Sequence, residues 1–203
     1  MDGGHTNFFM ENGLLKRLMD EVRRICGDEQ SHGVAHAERT LDFALRIAKA
    51  VGGDVEVITV AAILHDIGRE NIFGDPGHGV RGAKIAGEIL RKLEADIDVD
   101  IDVERVVDII ARHDEPGDEG QEGGESLELT ILRDADRLEL LRISPDYLDL
   151  ERLKTNEALR LVPYVLNIHY PNPGGDRELM EAIGKTKTRA QEILRERKGD
   201  RPD

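Results

Sequence analysis

The chain has 203 residues, of which 39% are hydrophobic, 34% charged and only 3% aromatic, with no Trp; this excludes a disordered chain and favours an aliphatic core of the kind made by helices packed on helices. A formal charge of −14 argues against wrapping a long nucleic acid, although a small phosphorylated substrate stays open where a bound cation reverses the local field. The single cysteine, Cys26, excludes an intrachain disulfide and points to a cytoplasmic setting, and there is neither a signal-like pattern over Met1 to Met10 nor an apolar run long enough for a membrane.

No internal repeat or linker stands out, so residues 1–203 read as one all-α domain, with a bundle core at about 32–143 and a helical extension at about 144–203. Phe9 to Cys26 patterns as an amphipathic helix stopped by Gly27, and His32 to Val51 as a second stopped by Gly52-Gly53. Asp54 is placed to cap a third, Val55 to Ile67, which ends at Gly68. Arg69 to Gly77 is a loop with the turn signal Asp75-Pro76-Gly77, and a fourth helix runs from about His78 to Leu93. Asp102 caps a fifth that reaches His113, and the acidic, Gly-rich segment Asp114 to Glu125 reads as a surface loop. A sixth helix is predicted over Leu127 to Ile143, with Ser144-Pro145 opening a seventh. Pro163 and the Pro171–Gly175 cluster are expected to interrupt the helical pattern of the C-terminal region, before Asp176 caps a terminal helix to about Lys198. The basic stretch Lys185 to Lys198 also carries Glu192 and Glu196, so it reads as a solvated face rather than a membrane-surface helix.

The third helix is apolar nearly all round, from Val55 to Leu64, and must be buried in its domain. Yet it ends in His65-Asp66, and a buried carboxylate needs a cation or several donors. Similar placements recur. His36 falls in line with Thr40, Phe43, Ile47 and Ala50; His78 with Gly82, Ala86, Ile89 and Leu93; His113 with Val103, Val106 and Ile110. On the sixth helix Asp136 lies among Leu129, Leu132, Leu140 and Ile143, while Asp134 lies among Leu127, Ile131, Leu138 and Leu141, so spacing leaves both acids open. One inward His is ordinarily a core residue bonded to a carbonyl, and one Asp near a helix end is ordinarily a cap. Several from different helices point to a shared metal centre.

Taken in order, these residues resemble the HD-domain superfamily of metal-dependent phosphohydrolases, whose pattern is a first His, an adjacent His-Asp pair and a distant Asp, all on helices. The first His is matched by His36 in Ser31-His32-Gly33-Val34-Ala35-His36, and the pair by His65-Asp66 in Ala62-Ile63-Leu64-His65-Asp66-Ile67-Gly68. The distant Asp is matched by Asp136 in Leu132-Arg133-Asp134-Ala135-Asp136-Arg137-Leu138, since the Asp before Arg-Leu is the ligand in family members. The resemblance covers about His32 to Ile143. Branches that hydrolyse dinucleoside polyphosphates or cyclic dinucleotides add two histidines between the pair and the last Asp, where this chain has His78 and His113. The resemblance leaves those two open as ligands of a second metal bridged by Asp66, or as contacts to the substrate phosphate. Where other branches carry a Glu or a Lys three residues after the pair, this chain has Arg69, which suits a phosphate contact or an ordinary solvated side chain.

Two imidazoles and two carboxylates suit Mn, Fe, Co, Ni or Zn, with Mg also open, as one or two ions. The resemblance implies hydrolysis of a phosphoester or phosphoanhydride of a small molecule, with a nucleotide as the foremost candidate, by metal-activated water. Asp66, Arg69, His78 and His113 are the catalytic candidates; His36, His65, Asp66 and Asp136 are the metal ligands. Two other readings on the same scaffold are a diiron oxygenase and a non-catalytic regulatory module. Cys26 has no activating partner in the pattern and reads as structural, and a homo-oligomer is compatible with the sequence.

Overall fold

The computed structural model describes residues 13–28, 32–71, 74–96, 101–115 and 125–198. Every regular element among them is helical: α1 (Leu14–Cys26), α2 (Val34–Val51), α3 (Val55–Leu64), α4 (His78–Asp96), α5 (Val103–Arg112), α6 (Leu127–Glu139), α7 (Asn156–His169) and α8 (Arg177–Arg197). Two short 3₁₀ turns, Leu140–Arg142 and Leu150–Arg152, complete the set. The protein is all-α, as its composition and periodicity imply. No helix among the described residues is long and apolar enough to cross a membrane. The expected start of the first helix at Phe9 and most of the Asp114–Glu125 loop lie outside the described residues. By internal packing the chain divides into two units, Met1–Arg133 and Asp134–Asp203, with the boundary inside α6.

In the first unit α3 is the central element, and Val57 through Leu64 are all buried, as an all-apolar helix requires. It packs on α2 and α5, α1 lies against α2 and α3, and α4 pairs with α5. Its start is fixed by Asp54, whose side chain accepts from Glu56 N and Val57 N. Asp54 N in turn donates to Glu128 Oε1, a buried carboxylate that also pairs with Arg105 at 2.7 Å.

Two glycines let α4 close on its neighbours. A Cβ on Gly68 would lie 2.6 Å from Gly82 Cα and 2.7 Å from His78 O, and one on Gly79 would lie 2.8 Å from Ile110 O and 2.9 Å from Ala111 O. The first turn of α4, which bears His78, is thereby seated against both the turn after α3 and the end of α5. Gly68→Ala sets backbone against backbone, and we expect it to cost about 3 kcal/mol. Thermal unfolding checks this; an unchanged midpoint would contradict the close approach.

In the second unit α6 ends earlier than its apolar pattern suggests. It is α-helical to Glu139 and tightens into a 3₁₀ turn over Leu140–Arg142, leaving Ile143 exposed. Ser144-Pro145 does not open a helix: it forms a turn in which Tyr147 N donates to Ser144 O. The next helix, α7, starts only at Asn156, capped by Thr155, whose side chain accepts from Ala158 N. Pro163 lies inside α7 instead of breaking it. An interior proline costs roughly 3 kcal/mol, and the burial of Leu159, Val162, Val165 and Leu166 offsets it. Asp176 caps α8 as expected, accepting from Leu179 N, and α8 buries Ile183, Ala190 and Ile193 as it packs on α7.

Candidate metal centre

Four helices bring five of the sequence-predicted residues together. His36 stands in the first turn of α2, on a stripe with Thr40, Phe43 and Ile47, all buried. Ala50, which shares that periodicity, is exposed at the helix end. His65 and Asp66 leave the end of α3, His78 opens α4 and His113 closes α5. None of the five is more than 7% exposed. His36 Nε2 lies 3.1 Å from His65 Nε2, and His78 Nε2 lies 3.0 Å from His113 Nε2. Asp66 stands between the two pairs. Its Oδ2 is 3.5 Å from His36 Nε2 and 3.8 Å from His65 Nε2, and its Oδ1 is 3.1 Å from His78 Nε2 and 3.7 Å from His113 Nε2.

Backbone hydrogen bonds fix what three of the rings present. Nδ1 donates to Ala62 O in His65 (2.9 Å), to Asp75 O in His78 (2.8 Å) and to Ile110 O in His113 (2.7 Å). A carbonyl only accepts, so Nδ1 carries the proton and Nε2 of the neutral ring turns a lone pair inward. These lone pairs face a carboxylate whose Oδ1 is buried with no hydrogen-bond partner. So many acceptors at these distances repel one another unless a cation sits among them. Burial opposes the charge on Asp66, yet the nearby His65 and the bond from His32 hold its carboxyl well below the usual range. Burial also opposes charging His78, and the Asp66 carboxylate with the Asp75 carbonyl outweighs it, raising that imidazole above its ordinary value. His65, Asp66 and His113 offer ligand atoms within 4.8 Å of one another, and so do His32, His36 and Asp66. This nitrogen and carboxylate donor set fits a borderline-hard divalent cation.

Arg69 is not an ordinary solvated side chain. Its Nε lies 3.0 Å from Asp66 Oδ2, and its Nη2 donates to His78 Nε2 at 2.9 Å. The loop beyond it is clasped by Asp75, which accepts from Glu70 N, Asn71 N and Arg81 Nη2. Those bonds, that from Glu70 N foremost, bring the Asp75 carboxyl down to about 2. A depressed carboxyl stabilises above its unfolded value of about 3.9, and this is lost as the pH falls through the folded value. Protection of the Glu70 and Asn71 amides from exchange is therefore expected to persist at pH 4 and fall only near pH 2; loss at pH 4 would contradict the clasp.

The two acids left open by spacing differ sharply. Asp134 is fully buried, and its oxygens accept from Lys154 N, Thr155 N and the Thr155 hydroxyl at 2.7–2.8 Å. It anchors the start of α7, and burial raises its carboxyl despite those donors. Asp136 is half-buried on the same helix, in the second unit.

Three contributors escape sequence reasoning. His32 Nδ1 stands 2.8 Å from Asp66 Oδ2. Its spacing of four from His36 is the signal that could have found it. Asp114 accepts from Gly77 N and Gly79 N, and its Oδ2 lies 3.2 Å from His78 Nδ1, so it fixes the start of α4. Arg133, 2% exposed, donates to the carbonyls of Arg112, His113 and Glu115 and to Glu125 Oε1. Cys26 is inert by position: burial, with a smaller effect of the Asp66 charge, pushes its thiol up to about 11.

The HD domain family matches residues 33–141, just over half of the chain. The chain belongs to this family. The HD-domain protein is also similar to a crystal structure of a predicted HD superfamily hydrolase from an uncultured Thermotogales bacterium. That likeness has 26% identity and a TM-score of 0.56 and covers 83% of this chain and 91% of the other. A tRNA (cytidine(56)-2'-O)-methyltransferase from Thermoplasma volcanium is 30% identical over 89 residues, which is 44% of this chain. The match spans only 23% of the methyltransferase, so that name describes a much longer protein.

Proposed function

We propose that this HD-domain protein is a metal-dependent phosphohydrolase that cleaves a phosphoester or phosphoanhydride of a small molecule, with nucleotides the first class to test. The observation that carries this reading is Asp66: a buried carboxylate with a donorless Oδ1, flanked by two pairs of imidazoles. His36, His65 and Asp66 would hold one divalent ion, and Asp66 with His78 and His113 a second; Asp136 is the further acid that the family pattern assigns as a ligand. Asp136 is chosen because Asp134 is consumed at the start of α7 and because it stands before Arg-Leu, as in the family pattern. An ion there supplies Lewis-acid stabilisation of phosphoryl charge and a water acidified to near neutrality.

The chain's own groups do the rest. Arg69 holds a guanidinium beside the centre, tethered to Asp66 and His78, where it pairs with phosphoryl oxygens. Burial of the histidines keeps the local dielectric low and strengthens each of these charge interactions. The net charge of −14 favours a small phosphorylated partner over a long nucleic acid.

The test is metal analysis joined to an assay of nucleoside mono- and triphosphates, dinucleoside polyphosphates and generic phosphoesters, in Mn²⁺ or Co²⁺ without oxygen. Phosphate release that a chelator abolishes and added metal restores is expected. No release from any substrate by metal-loaded protein would overturn the reading. Oxygen-dependent turnover with two bound irons would replace it with an oxygenase, for which the imidazole pairs about Asp66 are also suited.

A further inference from the structure

We propose that His32 is a positioning residue of the same centre, orienting Asp66 by donating from Nδ1 to Oδ2. The inference rests on the metal-centre reading above. His32 lies in the turn before α2, one helical turn ahead of His36, and the two rings meet edge to face with centroids 5.5 Å apart. Its Nδ1 is 2.8 Å from Asp66 Oδ2, an acceptor, so that nitrogen carries the proton.

The two oxygens of Asp66 are treated differently. Oδ2 faces the donor of His32 at 2.8 Å and the guanidinium Nε of Arg69 at 3.0 Å. Oδ1 has no hydrogen-bond partner and faces the Nε2 lone pairs of His78 and His113. A carboxylate turns easily about its terminal bond, so something must keep the donorless oxygen aimed at the two imidazoles. Holding the other oxygen does this. His32 approaches from the turn before α2 and Arg69 from the turn after α3, so the carboxylate is clamped from two sides. The side chain of His32 is 18% exposed, against 1–7% for the rings of His36, His65, His78 and His113. It is the outermost imidazole of the cluster and can be replaced with little disturbance of the core.

Partners that orient a ligand are commonly worth 10- to 100-fold, roughly, in metal affinity. The test is equilibrium binding of Mn²⁺ to wild type, His32→Ala and His32→Asn, with circular dichroism confirming the fold. An Asn amide places an N–H near the position of Nδ1, so His32→Asn keeps the donor. His32→Ala is expected to bind Mn²⁺ more weakly by about tenfold or more, with His32→Asn restored to within about threefold of wild type. Wild-type affinity in His32→Ala, or equal loss in both variants, overturns the proposal. If wild type itself binds no Mn²⁺, the metal centre fails; if wild type binds and the variants do not differ from it, only the role of His32 fails.

Discussion

Asp66→Asn is expected to abolish metal binding and lower hydrolysis on the order of a thousandfold or more, while the metal-free protein keeps its fold. The carboxylate is nearly fully buried, and its Oδ1 has no donor. An amide of the same shape removes that charge. With its oxygen at the Oδ2 position it still accepts from His32 Nδ1 (2.8 Å), and its NH₂ at the Oδ1 position faces the Nε2 atoms of His78 and His113. A donor thus replaces an acceptor that faces acceptors, worth about 1 kcal/mol, which offsets part of the stability lost with the depressed carboxylate. Thermal unfolding in a chelator, paired with a phosphate-release assay, measures both fold and activity. A variant that no longer folds, or is still active, would contradict the assignment.

Arg133→Met is expected to destabilise the fold by about 3–5 kcal/mol, lowering the unfolding midpoint by roughly 10 °C. The guanidinium is 2% exposed and ties together the carbonyls of Arg112, His113 and Glu115 with the carboxylate of Glu125. Met fills the space but leaves those acceptors without a donor, and each such buried group costs about 1–3 kcal/mol. Arg133→Lys should recover little, because one ammonium cannot reach four acceptors spread round a planar fork. The bond to His113 O also sets the end of α5, so any surviving protein should bind a second ion more weakly. Guanidinium denaturation reads the first effect; a midpoint within experimental error of wild type would remove the structural role.

Much of the fold is legible in the sequence because its signals are local. Asp54, Asp102 and Asp176 cap the helices they precede, since a carboxylate one position before a helix has its donors within the next three residues. His36, His65, His78 and His113 reveal themselves as polar groups on apolar stripes. The features that escape the sequence depend on partners far along the chain. Asp134 and Asp136 are equivalent by periodicity, and only the backbone at Lys154 and Thr155 separates them. Ser144-Pro145 has the local look of a helix start, yet the chain turns there and waits for Thr155. Pro163 looks like a breaker until the burial of the helix around it is known. His32 sits just outside the helix proper, and only its spacing of four from His36 marks it.

The metal centre is tested most directly by equilibrium dialysis of the protein against Mn²⁺, with wild type and Asp66→Asn side by side. At least one tightly held ion per wild-type chain and none in the variant is the expected result. Equal Mn²⁺ in both, or none in wild type, would contradict it.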